Sequence, residues 1–327
     1  MLRLSRGDTL DETTASAVTG LISAATAADG VAPASEDVRL TLRPGAPARG
    51  LHIVAFDDGD DGDDGDDGDE GGSERAIIGY AHLLPPGEPP GERAAELVVR
   101  PDRRRQGVGA ALLAALTEAS ADSPLAVWAH GDLPAAAALA TRSGLARQRV
   151  LWLMRRTLSP AEPEPAVAVP AGTSVRTFAV GRDEDAWLAL NARAFAHHPE
   201  QGGWGPADLA AREAEPWFDP AGFFLAEREG RLVGFHWTKV DQDTAAGGTP
   251  GTLAGEIYVL GVDPDAAGGG LGRVLTAVGL RHLRSRGVRS VILYVDDTNR
   301  AALRLYESAG FAQVSADVSY VPAPATG

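Results

Sequence analysis

The stretch EIYVLGVDPDAAGGGLGR, Glu256 to Arg273, decides the fold. Ile257, Val259, Leu260 and Val262 are the β-branched and apolar residues of a short buried strand, and Asp263-Pro264 ends it because proline cannot donate to a ladder. Gly268, Gly269, Gly270 and Gly272 follow, with backbone N–H groups uncovered at the start of a helix through Val274, Leu275, Val278 and Leu283. Those groups and the positive end of the helix dipole point at an anion, and Arg273 adds a full charge beside them. The residues predict a phosphate site, although a glycine-rich turn with no ligand also fits the loop taken alone. A P-loop is excluded, because the glycines run into Gly272-Arg273-Val274 where Gly-Lys-Ser/Thr is needed. A dinucleotide fingerprint would follow the first strand of its domain, and this loop lies late in its half.

A chain of 327 residues, 44% apolar, has material for two cores. No stretch approaches the ~18 uninterrupted apolar residues of a membrane span, and the first residues lack a basic flank and an apolar core of signal type. A soluble, cytoplasmic protein is expected. With no cysteine there is no disulfide, zinc–thiolate site or cysteine nucleophile, so catalysis falls to oxygen and nitrogen groups. The net charge of −15 is concentrated in the run from Asp57 to Glu70, which holds ten carboxylates and reads as a solvated hairpin tip. Its spacing lacks the ordered ligands of a calcium loop, and no metal is expected. Nothing basic enough for nucleic acid remains. Of 30 basic residues only Lys239 is lysine. In a chain so biased toward arginine, a surviving lysine marks a position where a compact ammonium does what a planar guanidinium cannot, or else a chance survivor.

The segment TLSPAEPEPAVAVPAG, with Pro160, Pro163, Pro165 and Pro170, has no helical or strand period and reads as a linker. It divides the chain into residues 1–156, a linker 157–173, and residues 174–327. Both halves carry one order of signals, an internal repeat. In the first, helices at Asp8–Ala28 and Pro33–Leu42 precede a hairpin of His52–Phe56 and Ile77–Leu84 and a strand Ala94–Val99. The run RPDRRRQGVG, Arg100 to Gly109, then opens a helix, and a strand, a helix and a strand near Val150–Arg155 finish the half. In the second, strand Val175–Phe178, two helices and a hairpin lead to the Glu256 strand and its loop. Strand Ser290–Val295, helix Asn299–Ser308 and a strand around Gln313–Tyr320 follow. Pro101 is six residues before Gly107 and Pro264 six before Gly270, so the phosphate loop is duplicated.

This order, a phosphate loop after the fourth strand and the closing Gly310-Phe311 resemble the GCN5-related N-acetyltransferases in both halves. The family's loop pattern, Arg/Gln-x-x-Gly-x-Gly/Ala, is intact from Arg104 to Gly109. Ala267 stands at its first position in the second copy, and Gly269 also replaces a larger polar residue. There pyrophosphate binding must rest on backbone N–H groups and Arg273. The resemblance implies an α/β (α+β) fold of two tandem domains, each a mixed, mostly antiparallel sheet that splays between its fourth and fifth strands. Acetyl-CoA would lie in the splay as co-substrate, where a free backbone N–H can polarise the thioester carbonyl.

Acetyl transfer to an amine needs a base for the ammonium proton and an acid for the departing thiolate. Aligned on the loops Glu256 faces Arg93, and aligned on Gly144 and Gly310 Tyr306 faces Ala140, so only the second half holds the pair. Glu256 is the candidate base and Tyr306, a phenol of ordinary pKa ~10, the candidate acid. Three further charges near the first loop, Arg100, Arg103 and Arg105, favour a pyrophosphate there, so that half is expected to bind acetyl-CoA without using it.

The stretches NARAFAHHPEQGGW, GEIYVLGVDP and LYVDDTNRAALRLYESAGF resemble the mycothiol synthases, a family of tandem actinobacterial acetyltransferases. These acetylate the cysteinyl amine of a cysteine–glucosamine–inositol conjugate. By position the resemblance implies that Glu36, Glu200, Lys239, Glu256 and Tyr294 contact this small pseudodisaccharide substrate. It implies that Leu260, Gly261 and Val262, the loop Ala267, Gly268, Gly269, Gly270, Leu271, Gly272 and Arg273, and Asn299, Arg300, Ala301, Ala302, Leu303 and Arg304 hold the reacting acetyl-CoA. Leu97, Val98 and Val99 with Arg105, Gln106, Gly107, Val108, Gly109 and Ala110 would hold a second one. Glu36 also reads as a helix-terminal charge and Tyr294 as a packed strand residue. Two other functions share the fold: N-acetylation of an aminoglycoside, polyamine or protein N-terminus, and a non-catalytic acyl-CoA sensor, which the Glu256 and Tyr306 pair argues against. A monomer with no nucleic-acid or membrane partner is expected.

Overall fold

The computed structural model describes residues 2–57, 76–85, 92–159, 168–196, 198–241 and 253–323. The acidic run beyond Asp57 and residues 160–167 of the proline-rich linker lie outside them. Contacts divide the chain into two compact units, residues 1–151 with 315–327, and residues 152–314. Sequence reasoning kept the last strand with the second half and closed the first half with its own sixth strand. The structure assigns most of the last strand to the first unit and the end of the sixth strand to the second.

In the first unit, β1 (Leu2–Gly7), β2 (Leu51–Asp57), β3 (Ile77–Leu83) and β4 (Arg93–Val99) pair antiparallel in that order. β5 (Leu125–Ala129) joins β4 in parallel. Helix α1 (Glu12–Asp29) starts on Asp11, whose carboxylate accepts the Thr14 N–H at 2.8 Å, and stops at left-handed Gly30. With α2 (Glu36–Thr41) it covers one sheet face, burying Val18, Leu21, Ile22 and Val38 against Val54, Tyr80 and Val98. On the other face α3 (Val108–Ala119) buries Leu112 and Leu116 against Ile53, Ala81 and Ala95. Helix α4 (Pro134–Arg142) follows β5. The first strand was not anticipated, because Leu2 to Gly7 is an edge segment with little buried surface to impose an apolar alternation.

The chain then enters β6 (Leu145–Thr157), and from Trp152 it belongs to the second unit, where Met154 and Leu158 join the core beside β11. The second unit repeats the order with β7 (Thr173–Thr177), α5 (Glu184–Ala194), α6 (Pro199–Gly202), α7 (Pro206–Glu213), β8 (Phe223–Arg228), β9 (Arg231–Asp241) and β10 (Ala254–Val262). Then come α8 (Leu271–Ser285), β11 (Ser290–Asp296) and α9 (Arg300–Ser308). Strands β7 to β10 are antiparallel neighbours and β11 is parallel to β10. The final strand, β12 (Ala312–Pro322), leaves the second unit after Val314 and pairs antiparallel with β5 through Val318–Tyr320. Each unit therefore takes in part of the last strand of the other half. Alternation shows that a segment is a strand but not which edge it joins. Among the described residues no helix is long and apolar enough to cross a membrane, and no cluster of metal-ligating side chains occurs.

Candidate active site

The two phosphate loops have one backbone. After β4 and after β10 a single 3-10 turn, Pro101–Arg103 and Pro264–Ala266, leads into a loop with two left-handed residues before the helix. The second of these is Gly107 (φ 88°) in one copy and Gly270 (φ 81°) in the other. The first is Gly268 (φ 85°) in the second copy, but Arg105 (φ 64°) in the first. Arg105 thus holds with a side chain a conformation that its counterpart reaches as glycine, a strained choice. Beyond the caps, Gly109 lets α3 approach Leu139 and Gly272 lets α8 approach Leu305.

The charges around the first loop differ from expectation. Both terminal nitrogens of Arg104 donate to the Asp29 carboxylate at 2.7 Å, and its Nε donates to the Val99 carbonyl. Its place in the motif therefore fixes the loop to the end of α1. Arg103 pairs with Asp57 at 2.9 Å and Arg100 with Asp102 at 2.7 Å, so two of the three charges counted toward a pyrophosphate are already neutralised. Arg105 makes no ion pair among the described residues and lines a cavity of about 480 Å³.

That cavity belongs to the first unit and is walled by Leu97 to Val99, Gly107, Gly109, Ala110 and the end of β5. Val98 and Val108 turn their side chains into the core. His130, another lining residue, sits between two buried carboxylates: its Nδ1 is 2.9 Å from Asp317 and its Nε2 3.5 Å from Glu96. Asp317 also accepts the Gly131 N–H, and Glu96 accepts that of Ser35. Burial alone would lower the His130 pKa, but the Asp317 and Glu96 carboxylates outweigh it and raise it to about 10. The unfolded value is ~6.5, so this cation's contribution to folding is complete below pH ~6.5 and is lost as pH rises through about 10. The melting temperature is expected to fall between pH 7 and 10, and Asp317→Asn to flatten that slope. An unchanged slope in the variant would contradict the assignment.

In the second unit the β10–β11 ladder ends at Glu256↔Ile292, although both strands continue, which opens the splay at Glu256. A bulge lies just beyond. Ile257 pairs with Thr238 and Val259 with Trp237, leaving Tyr258 as the extra residue, whereas β3 and β4 pair without interruption. Bulges re-aim side chains and collect beside active sites. The bulge also corrects the alignment of the halves. Glu256 faces Lys239, and the equivalent place in the first sheet is Ala94, whose carbonyl accepts the Leu84 N–H. Arg93 instead donates to the carbonyls of Leu84 and Ala119, a structural role. Neither residue is an acid.

Lys239 is 6% exposed, opposite half-buried Glu256. Its ammonium lies 4.7 Å from the centroid of the Trp217 ring and 5.7 Å from that of Tyr258. A buried lysine between ring faces and across from a carboxylate is not a chance surface survivor.

Tyr306 is buried on α9, its ring edge-on to Phe311. Burial alone raises its phenol above the usual range, so it is protonated throughout the neutral range. Tyr294 on β11 is 48% exposed, which sets aside a packed strand role. Leu260 and Val262 are half-buried and Gly261 is packed against Phe235. Ala267, Gly268, Gly269, Gly270 and Arg273 are exposed, while the Leu271 side chain lies in the core. Asn299 caps α9 by accepting the Ala302 N–H at 3.0 Å, Arg300, Ala301 and Arg304 are exposed, and Leu303 faces the core. Glu200 falls in α6, with its side chain outside the described set. Glu36 belongs to the first unit, at the start of α2 after the Ser35 cap.

Sequence reasoning did not find the aromatic wall of this site. Trp204, Trp217, Trp237 and Tyr258 form one set of ring contacts, with Arg212 over the Trp204 ring at 3.8 Å. The available signal was tryptophan density, since four of the six lie between Trp187 and Trp237.

Known proteins match both halves of the chain. The profile of the acetyltransferase (GNAT) family matches residues 187–311, and that of the acetyltransferase (GNAT) domain matches residues 52–144. The mycothiol acetyltransferase of Thermomonospora curvata is 54% identical over 97% of this chain and 96% of its own. That of Geodermatophilus obscurus is 53% identical over 96% of each. A solved GCN5-related N-acetyltransferase from Sphaerobacter thermophilus shares the fold at a TM-score of 0.69 with 24% identity, covering 98% of this chain and 96% of its own.

Proposed function

Because this chain belongs to the mycothiol acetyltransferases of the GNAT family, we propose that its second unit acetylates the cysteinyl amine of a cysteine–glucosamine–inositol conjugate, giving mycothiol and CoA. The enzyme is an acetyl-CoA-dependent N-acetyltransferase. The observation that carries the site assignment is the Glu256 and Lys239 pair at the mouth of the splay, next to a bulge that the first unit lacks.

In this reading the pyrophosphate of acetyl-CoA rests on the N–H groups of residues 268–273 and on Arg273, and the thioester lies along Leu260, Gly261 and Val262. Glu256 takes a proton from the substrate ammonium, directly or through a water. The freed amine attacks the thioester carbon, a backbone N–H of the splay stabilises the oxyanion, and the C–S bond breaks. Tyr306 gives its proton to the departing thiolate, and the second proton lost by the acylated nitrogen, passed directly or through a water, restores the phenol. Transfer is direct, without an acyl-enzyme. Lys239 and Tyr294 offer a cation and a phenol to the ring hydroxyls and the cysteinyl group. The reading carries with it a cytoplasmic, monomeric protein. CoA release should depend strictly on the conjugate and match formation of its N-acetyl product. Release without an acceptor, or none with it, would overturn the reading.

The first unit binds a second acetyl-CoA without using it, on Leu97–Val99 and the loop Arg105 to Ala110. Its remaining loop charge is Arg105, so Arg105→Gly separates strain from binding. The variant is expected to gain about 0.5–1 kcal/mol in the free protein by relieving the left-handed backbone. The acetyl-CoA-induced rise in melting temperature should shrink, and turnover should stay within a few-fold. An undiminished rise would remove Arg105 from the site.

A further inference from the structure

We infer that Tyr258, held by Arg212, is a positioning residue that fixes the Lys239 ammonium opposite Glu256. The inference deepens the functional reading above and rests on it for the role of Glu256. A lysine head group ends a four-carbon stem and has no preferred direction of its own. Here two ring faces supply one, Trp217 and Tyr258. Those rings are locked in turn. Tyr258 is the extra residue of the β10 bulge and lies edge-on to Trp217, with centroids 4.9 Å apart, and to Trp237 at 5.3 Å. Its hydroxyl accepts a hydrogen bond from Arg212 Nε at 2.8 Å.

Arg212 is itself pinned on two further sides. Its guanidinium stacks on Trp204, and its Nη1 donates to the Asp208 carbonyl one turn back on α7 at 3.0 Å. Only a planar group with several donors makes a stacked contact, a backbone bond and a bond to a phenol at once, so lysine is no substitute. The brace runs from α7 through the bulge to β9 and ends at a cation facing the candidate base. A cation held there favours the ionised carboxylate, the form that accepts a proton. A Lys239 free to swing would give Glu256 that help only part of the time.

Lys239 is the sole lysine, so protein grown with carbon-13 lysine gives one side-chain ε-CH₂ resonance. Packed against two ring faces, it should be shifted upfield of free lysine. Arg212→Ala is expected to move it toward the free position. Tyr258→Phe, which keeps the ring and removes only the hydroxyl, should move it less, and Arg212→Lys should not restore it. In turnover, Tyr258→Phe should lower kcat/KM about tenfold with acetyl-CoA affinity unchanged. In a Lys239→Met background the same change should add almost nothing, a non-additivity that general loosening of the fold would not produce. An unmoved resonance in Arg212→Ala and Tyr258→Phe, or additive losses in the double variant, overturns the inference. The resonance arm needs no substrate, so a different amine acceptor would sink the functional reading and leave this one decided on its own evidence.

Discussion

Glu256→Gln is expected to lower turnover by about 10² to 10⁴-fold while leaving acetyl-CoA affinity nearly unchanged, because a positioned base acts on the acceptor's proton and not on the donor. The amide keeps the shape of the carboxylate and its place opposite Lys239. What it loses is the ability to take a proton at the point where the β10–β11 ladder opens. Tyr306→Phe should produce a loss in the same range for the opposite reason. Burial raises this phenol, so the wild-type group is protonated at every working pH and can supply the leaving thiolate. The variant keeps the edge-on packing with Phe311 and removes only the hydroxyl. Rapid-mixing kinetics with calorimetric binding of acetyl-CoA would separate the two quantities. Turnover within a few-fold of wild type in both variants would show that neither group moves a proton in the rate-limiting part of the reaction.

Gly279→Ala should be the most destabilising small change in the second unit. Gly279 lies on α8 directly over His236, and a methyl group there would fall well inside van der Waals contact with the imidazole ring. The ring has no room to retreat. It is fully buried, its Nδ1–H donates to the Leu275 carbonyl at 2.7 Å, and burial depresses its pKa to about 4, so it stays neutral. Overpacking of this kind costs roughly 3 kcal/mol, read as a fall of about 6–12 °C in melting temperature. Gly20→Ala is the control. Nothing stands within 4 Å of that position on α1, so the change should stabilise by about 0.5–1 kcal/mol. Equal melting temperatures for the two variants would mean that α8 can move off β9.

The repeat was legible because it is written in local signals. Proline, glycine and apolar period recur at matched spacing, and the two loops do share their left-handed positions. Lys239 stood out by its rarity alone, and the structure buries it beside two aromatic rings. What the sequence withheld depends on partners far along the chain. The exchange of the closing strands reflects which sheet edge receives Val318 to Tyr320, and no residue within the strand encodes that choice. The Tyr258 bulge is a mismatch between two strands and belongs to neither alone. Arg104 fits a binding motif by letter, yet Asp29, 75 residues earlier, claims its guanidinium. The His130 cluster likewise joins Glu96 and Asp317 from opposite ends of the chain.

The substrate assignment is tested most directly by competition. Wild-type protein is given limiting acetyl-CoA and an equimolar mixture of the cysteine–glucosamine–inositol amine, an aminoglycoside, a polyamine and a peptide with a free N-terminus, and the products are counted by mass. The N-acetylated conjugate should dominate, with the other amines almost untouched. Preferential acetylation of any of the other three would contradict the assignment.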